Sequence, residues 1–352
     1  MFSRIKKIQN FLSHSSAALI ISPENRFYLT GFKSSAGYVI ITRERAVFLT
    51  DFRYFEKAIS VVKTCEAEML VSFEKQANDI LKGIDKIYIE TDFVSVSQFA
   101  FLSKKLGDKI SKEEILADLF YDMRSIKTKE EIDNIKSAQR LTDLTFQYIL
   151  PRIEAGRTEL EIMLDMEFFM RKNGSEGVSF DFIVVSGKNS SLPHGVPTDI
   201  KIEKGDFITM DFGAVINGYR SDMTRTVAVG SISEEQKMVY NTVLKAQLAA
   251  IGAARPGVEC RAVDKVARDI IAAAGYDGCF GHGLGHSVGI DIHENPCFNR
   301  NDETPLESGM VITVEPGIYL ENKFGVRIED MIIITENGNE NITGSPKDLI
   351  IL

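Results

Sequence analysis

The feature that most constrains the fold of this chain is a pair of aspartates on either side of a predicted tight hairpin. Asp211 and Asp222 flank Asn217-Gly218, which stands between two β-rich runs. Asn-Gly in that setting is a strong signal for a two-residue type I′ turn. Pairing outward from the turn puts Gly213 opposite Asp222 and Asp211 opposite Thr224. Because side chains alternate between the faces of a strand, both carboxylates then project to one side.

These two carboxylates would be diagonal neighbours across the hairpin, roughly 5–8 Å apart at Cβ. An isolated acid beside a turn is more often a surface residue. Two acids this close repel each other, however, and gain little unless a cation lies between them. The hairpin therefore predicts half of a metal site, and Gly213 beside it leaves room.

Four of the five histidines fall in the next part of the chain, at His194, His282, His286 and His293. Two of them lie in the glycine-rich segment 281–289. Glycine-rich loops often bind phosphate, but this spacing is not that of a dinucleotide or Walker loop. The segment is a candidate source of an imidazole ligand.

Two strand-like runs further downstream each carry an acid that could complete the site. Glu315 ends the run that begins at Val311, and Glu329 lies in the run 326–334. Alternation puts Glu329 on the same face as Arg327 and puts Asp330 on the opposite face, so Glu329 is the better ligand candidate. Two Asp, one His and two Glu are enough for a pair of divalent ions.

Seven segments between residues 191 and 330 resemble the motifs of one superfamily, in the same order. It is that of the metal-dependent "pita-bread" peptidases, which includes methionine aminopeptidase, prolidase and Xaa-Pro aminopeptidase. The segments match its proline-directed branch and are Ser191-Leu-Pro-His194-Gly, Met210-Asp-Phe-Gly, Ser221-Asp-Met-Thr-Arg, Gly281-His-Gly-Leu-Gly-His, Ile292-His-Glu, Val314-Glu-Pro-Gly and Val326-Arg-Ile-Glu-Asp.

The resemblance implies two divalent metal ions per chain, with Mn²⁺ first and Co²⁺ or Zn²⁺ as alternatives. The implied ligands are Asp211, Asp222, His286, Glu315 and Glu329, with Asp222 and Glu329 bridging. A hydroxide between the ions would attack the amide carbonyl.

The implied catalytic residues overlap with this ligand set. Glu315 would accept the proton of the attacking water. His194 and His293 would face the substrate, where they donate to the carbonyl oxygen or shuttle a proton. His282 would line the pocket for the residue after the scissile bond. Arg327 is not part of this set: we expect it to pair with Glu329 or another acid of the site and to orient that ligand rather than to act in catalysis.

The chain is predicted to contain two domains in an α+β fold. Short β-runs alternate with helical stretches near the amino terminus, which is typical of a small α/β domain with a mixed sheet. A capping box at Thr128-Lys-Glu-Glu131 then opens a long amphipathic helix. By resemblance, residues 1–123 form a creatinase/prolidase-like amino-terminal domain. Residues 124–352 form the pita-bread catalytic domain, with helices outside and acid-bearing strands inside.

Composition restricts the function classes further. The chain has 352 residues, of which 44% are hydrophobic and 26% charged, and its net charge is −9. That acidic balance argues against nucleic acid or an anionic membrane as the main partner. No apolar run is long enough for a membrane span, and the four cysteines form no Cys-x-x-Cys pair. We expect a cytoplasmic protein and, from the resemblance, a homodimer.

The resemblance implies hydrolysis of the Xaa-Pro bond in peptides with proline in second position. Many compact prolidases carry an arginine shortly after the His-Glu motif, where this chain has Cys297. That departure favours a Xaa-Pro aminopeptidase over the alternative, a Xaa-Pro dipeptidase restricted to dipeptides. A creatinase-like hydrolase without metal or a non-catalytic binding module would lack some of the ligand residues, all of which are present.

Overall fold

The computed structural model describes the backbone of residues 2–352 and the side chains from residue 4 onwards. The chain forms two compact units, of which the first ends at Met123 and the second begins at Arg124. Among residues 2–352, no helix is long and apolar enough to cross a membrane.

The first unit is built on a mixed sheet in the order β4-β3-β2-β1-β5-β6. Antiparallel pairing joins β1 to β2 and β2 to β3, while β1–β5, β3–β4 and β5–β6 are parallel. The mixed sheet predicted for this region is therefore confirmed. The strands are β1 (Ser16–Ile20), β2 (Tyr38–Thr42), β3 (Ala46–Thr50), β4 (Glu66–Met69), β5 (Lys86–Ile89) and β6 (Ile110–Ser111). The helices are α1 (Phe2–Phe11), α2 (Pro23–Thr30), α3 (Phe52–Val61), α4 (Phe73–Ile80), α5 (Val96–Leu106) and α6 (Ile115–Ser125), whose last residues enter the second unit.

Three helices of the second unit begin directly after a residue whose side chain caps them. Thr128, Thr158 and Ser233 each accept a hydrogen bond from the N3 backbone amide, and each N3 side chain bonds back to the cap. Such reciprocal capping satisfies amide groups that the first helical turn leaves free. The helices are α7 (Lys129–Ile149), α8 (Glu159–Lys172), α9 (Glu234–Ala253) and α10 (Cys260–Ile271).

Two antiparallel sheets and two short ribbons form the centre of the second unit. The sheets have the orders β11-β8-β7 and β13-β12-β14-β17-β18, and the ribbons pair β9 with β10 and β15 with β16. The strands are β7 (Ile183–Ser186), β8 (Phe207–Phe212), β9 (Val215–Ile216), β10 (Tyr219–Arg220), β11 (Met223–Ala228), β12 (Gly285–Ser287), β13 (Glu294–Phe298), β14 (Val311–Val314), β15 (Gly317–Leu320), β16 (Phe324–Arg327), β17 (Asp330–Thr335) and β18 (Gly338–Asn341).

Helices cover the outer faces of these sheets, and the inner faces are left for polar side chains. Met210 and Phe212 of β8 pack in one apolar cluster with residues of α7 and α8. Ile312 and Val314 of β14 pack in a second cluster with residues of α9 and α10. Alternation along β8 therefore turns the intervening Asp211 away from the helices.

The predicted hairpin is confirmed, with one local difference. Asn217 and Gly218 have φ values of 48° and 80°, as a type I′ turn requires, and Asp211 pairs with Thr224. The ladder is interrupted between the β9–β10 ribbon and the β8–β11 pair, where a Cβ on Gly213 would lie 1.8 Å from the Ser221 carbonyl oxygen. Glycine is required here because the two backbones approach closely beside Asp222.

Candidate metal centre and active-site cavity

Strand ends from both sheets bring the five predicted ligands into one buried cluster. Ligand atoms of Asp222, His286 and Glu329 all lie within 4.8 Å of one another. His286 Nε2 lies 3.6 Å from Asp222 Oδ2 and 3.5 Å from Glu315 Oε1. The remaining acid, Asp211, pairs with Arg327 at 2.7 Å.

The electrostatics of this cluster favour a bound cation. Burial, followed by the negative charges of Glu329, Asp211 and Glu315, raises the pKa of Asp222 well above its usual value. Burial and the charges of Glu315 and Asp211 do the same for the pKa of Glu329. Burial raises the pKa of Glu315 to about 8. Each carboxylate disfavours the ionised form of its neighbours, and a divalent ion between them would remove that conflict.

Unpaired oxygen atoms provide a test of whether these residues fit a metal. In the part of the chain that the structure describes, Asp211 Oδ1, Asp222 Oδ1 and Glu329 Oε1 are buried and have no hydrogen-bond partner. Leaving a buried acceptor unsatisfied is costly. Oxygen-rich donor sets with one imidazole suit divalent ions such as Mn²⁺, Co²⁺ or Zn²⁺. The donor set and its orphaned oxygens therefore fit divalent metal.

The imidazole of His286 is in the form that a metal needs. Burial lowers its pKa to about 4, so the ring is neutral near pH 7. Its Nδ1 lies 3.1 Å from the Ser287 carbonyl oxygen, which can only accept a hydrogen bond. The proton is therefore on Nδ1, and the lone pair of Nε2 points towards the carboxylates.

Polar side chains behind the cluster hold two of the acids in place. Thr224 Oγ1 donates to Glu329 Oε2 at 2.8 Å. Arg327 donates to Asp211 Oδ2 at 2.7 Å, to Thr224 Oγ1 at 3.1 Å and to the hydroxyl of Tyr319 at 2.7 Å. Arg327 therefore orients a candidate ligand, although it pairs with Asp211 rather than with Glu329.

A second buried ion cluster lies on the other side of Glu329. Asp330 points away from the carboxylates, as alternation predicts, and pairs with Arg225 at 2.7 Å and with Lys347. Arg225 also donates to the backbone carbonyl of Glu329. Sequence patterns gave no signal for this contact, because Arg225 and Lys347 are far apart along the chain and only the tertiary fold brings them together.

A cavity of about 890 Å³ opens onto the metal cluster. Its walls are partly apolar, with side chains of Val178, Phe180 and Ile292, among others. Asp211, Asp222 and Glu315 face it, and so do all four histidines of the sequence prediction: His194, His282, His286 and His293.

The histidines occupy different parts of the cavity. The ring of His293 packs edge-on against that of His286, with 4.4 Å between their centroids. His282 is fixed at both ring nitrogens: Nδ1 bonds to the Gly283 carbonyl oxygen at 2.8 Å, and Nε2 bonds to the Tyr319 hydroxyl at 2.9 Å. His194 and His293 are exposed at the cavity wall. The structure thus brings together every residue that the sequence singled out.

The comparisons with known proteins agree with this geometry. Residues 133–336 match the model of metallopeptidase family M24, and residues 4–126 match the creatinase/prolidase N-terminal domain. The chain is similar to the Xaa-Pro dipeptidase of Pyrococcus furiosus, with 39% identity over 99% of this chain and 100% of that protein. Among solved structures it is similar to a Xaa-Pro dipeptidase from Bacillus anthracis, with a TM-score of 0.94, 40% identity and coverage of 100% and 99% of the two chains. It is also similar to the X-Pro aminopeptidase of Thermotoga maritima, with a TM-score of 0.90, 36% identity and coverage of 98% and 100%.

The fold and the carboxylate–histidine site together define a metal-dependent peptidase. The chain belongs to metallopeptidase family M24, and its first unit carries the creatinase/prolidase N-terminal domain. The predicted pita-bread fold and the predicted class of enzyme are confirmed.

Proposed function

We propose that this enzyme is an exopeptidase of the Xaa-Pro aminopeptidase type, which removes the first residue of peptides whose second residue is proline. The observation that carries the proposal is the shared cavity, in which the carboxylate cluster, four histidines and apolar walls meet. A tertiary Xaa-Pro amide lacks an N–H, so its recognition depends on shape and on apolar contact with the pyrrolidine ring.

We assign candidate ligands to each of the two metal ions, and two of these ligands would be shared. Asp211 and Asp222 would hold one ion, His286 and Glu315 the other, and Asp222 and Glu329 would contact both. When bound, the two ions supply Lewis acidity and lower the pKa of a water molecule towards neutrality.

The remaining steps fall to side chains at the cavity wall. Glu315, which lines the cavity, would take up a proton at Oε1, the oxygen that lies 3.5 Å from His286 Nε2. His194 and His293 would donate to the carbonyl oxygen as negative charge develops there, or return the proton to the leaving proline nitrogen. His282, which is fixed at both nitrogens, would form a wall of the proline pocket.

Among the described residues, no lysine or arginine of the cavity is free to bind the carboxylate of a substrate proline, which favours the aminopeptidase type. Among the described residues that line the cavity, Arg327 is the one lysine or arginine. Its nitrogens already donate to Asp211, Thr224, Tyr319 and the Pro193 carbonyl oxygen. Cys297 also lines the cavity and offers no guanidinium for a bidentate contact with a proline carboxylate.

A Xaa-Pro dipeptidase is the second candidate, because two of the similar proteins described above carry that name. The two candidates differ in whether the proline carboxylate must be free. The predicted homodimer and the choice of Mn²⁺ as the native metal stay predictions.

Substrate length distinguishes the candidates. We expect Ala-Pro-Gly to be cleaved at least as well as Ala-Pro, and amidation of the Ala-Pro carboxylate to lower kcat/KM by less than about tenfold, since no charge-assisted contact is lost. Acetylation of the substrate amine should suppress turnover. Each reaction is monitored by chromatography of the free amino acid that is released. Cleavage of dipeptides alone would make the enzyme a dipeptidase.

Cys297 offers a matched pair of variants for this test. Cys297→Arg should shift the preference towards dipeptides with a free carboxylate, because it places a guanidinium at the cavity wall. Cys297→Ser keeps the side-chain size and should leave the preference unchanged. An unchanged preference in Cys297→Arg, with metal content intact, would show that this position does not select the carboxylate.

A further inference from the structure

A fully buried carboxylate outside the metal site accepts hydrogen bonds from both ends of the loop that carries His194. Glu159 is the first residue of α8, and its side chain is 0% exposed. At one end of the loop, it accepts hydrogen bonds from the Ser186 amide at 2.6 Å and the Ser186 hydroxyl at 3.0 Å. At the other end, it accepts them from the Thr198 amide at 3.1 Å and the Thr198 hydroxyl at 2.8 Å. Asn189 Nδ2 donates from within the loop at 3.1 Å.

These five donors are neutral groups, so Glu159 is held by hydrogen bonds and by the positive end of the α8 dipole. The two carboxylate oxygens have different partners: Oε1 accepts from Ser186, and Oε2 accepts from Thr198. The carboxylate thereby closes the segment between these two residues, which includes His194. The same segment supplies the cavity walls at Val196 and Pro197.

The loop that carries His293 also packs around a buried carboxylate, that of Glu294, but here two of the partners are cationic. This buried carboxylate accepts a hydrogen bond from the Asp291 amide at 3.1 Å. Arg124 pairs with its Oε1, and Lys127 lies 3.3 Å from its Oε2. A Cβ on Gly289 would lie 2.6 Å from both carboxylate oxygens, so the loop is closely packed around them.

We propose that Glu159 and Glu294 are positioning residues, each of which fixes the loop that presents one substrate-facing histidine: Glu159 acts through His194, and Glu294 acts through His293. The proposal rests on the function proposed above, in which both histidines assist the reaction. Histidine assistance requires precise placement, and a displacement of about 1 Å can cost on the order of 10²-fold in rate.

A role in folding alone would have a different signature. If Glu159 only stabilises the fold, its loss should lower activity by the same factor whether or not His194 is present. If it acts through His194, its loss should matter little once that imidazole has been removed. A double-mutant cycle separates these cases, because residues that act through one another are not additive.

The experiment combines Glu159→Gln and Glu294→Gln with His194→Ala and His293→Ala, as single variants and as all four carboxylate–histidine pairs. We expect Glu159→Gln to lower kcat about 10- to 100-fold alone and in the His293→Ala background. In the His194→Ala background the loss should be less than about threefold. Glu294→Gln should show the reverse pattern, so each carboxylate is the matched control of the other.

Further measurements separate folding from catalysis. Thermal unfolding and metal content are recorded for every variant, and Glu161→Gln on the same helix serves as a control. Glu161 is exposed and accepts from the Thr158 amide at 2.8 Å, a contact that glutamine also makes. This control should keep wild-type kcat.

If Glu159→Gln does not fold, Thr198→Val replaces it. This variant removes one donor to Oε2 while keeping the shape of the side chain, and it should show the same selective coupling to His194. Equal losses in all histidine backgrounds would overturn the positioning proposal. A His194→Ala variant with wild-type kcat would instead overturn the histidine role in the proposed function, which is a distinguishable failure.

Discussion

The Glu329→Gln variant is expected to lose about 10³-fold or more in kcat/KM on Ala-Pro, because it would lose a ligand shared by both metal ions. A carboxylate oxygen of Glu329 lies within 4.8 Å of ligand atoms of Asp222 and His286, and Glu329 Oε1 has no hydrogen-bond partner among the described residues. The amide of glutamine keeps the side-chain size but removes the negative charge. Steady-state kinetics and metal analysis of the same preparation measure the effect.

Two further variants act as controls for this prediction. Asp222→Ala should cost more than Asp211→Ala, since Asp222 would contact both ions and Asp211 only one. Asp330→Asn removes a buried carboxylate from the opposite face of the strand and should keep both metals, although it should lower the melting temperature. Equal losses for Asp222→Ala and Asp211→Ala would contradict the bridging role.

His194→Ala and His293→Ala should each lower kcat by about 10²- to 10⁴-fold, the range for lost acid–base or oxyanion assistance. Both side chains lie at the cavity wall, and neither belongs to the cluster of Asp222, His286 and Glu329. Both metals should therefore stay bound. Kinetics with Ala-Pro and elemental analysis of each purified variant check the two parts of the prediction.

His14→Ala is the matched control for these variants, because His14 is an exposed residue of the first unit, where its Nδ1 lies 2.7 Å from Glu44 Oε1. It should retain wild-type kcat. Loss of metal from His194→Ala or His293→Ala would mean that the histidine is a ligand, and the division between ligands and substrate-facing groups would then be wrong.

The hairpin and the helix starts were predictable because their signals are local. Asn217-Gly218 specifies a turn by backbone conformation alone, and the register follows by counting outward to Asp211 and Thr224. Capping boxes likewise depend on residues three positions apart, as at Thr128 and Glu131. Such features can be predicted without knowledge of the tertiary fold.

The supports behind the site were not predictable because they join distant parts of the chain. Glu159 contacts Ser186 and Thr198 across a loop, and nothing in its local sequence distinguishes it from any other acid in a first helical turn. Arg124 and Glu294 pair although they are 170 positions apart in the sequence. The motifs pointed to the candidate reacting groups, whereas the side chains that contact them from behind became visible only in the three-dimensional structure.

The most direct test is to measure how many metal ions the protein binds as its peptidase activity returns. The proposed metal site is formed by Asp211, Asp222, His286, Glu315 and Glu329. The purified protein is stripped with a chelator, dialysed and titrated with Mn²⁺, while bound metal and Ala-Pro hydrolysis are measured in parallel. We expect the stripped protein to be inactive and activity to return as binding reaches two ions per chain. Full activity in a preparation free of metal would contradict the account.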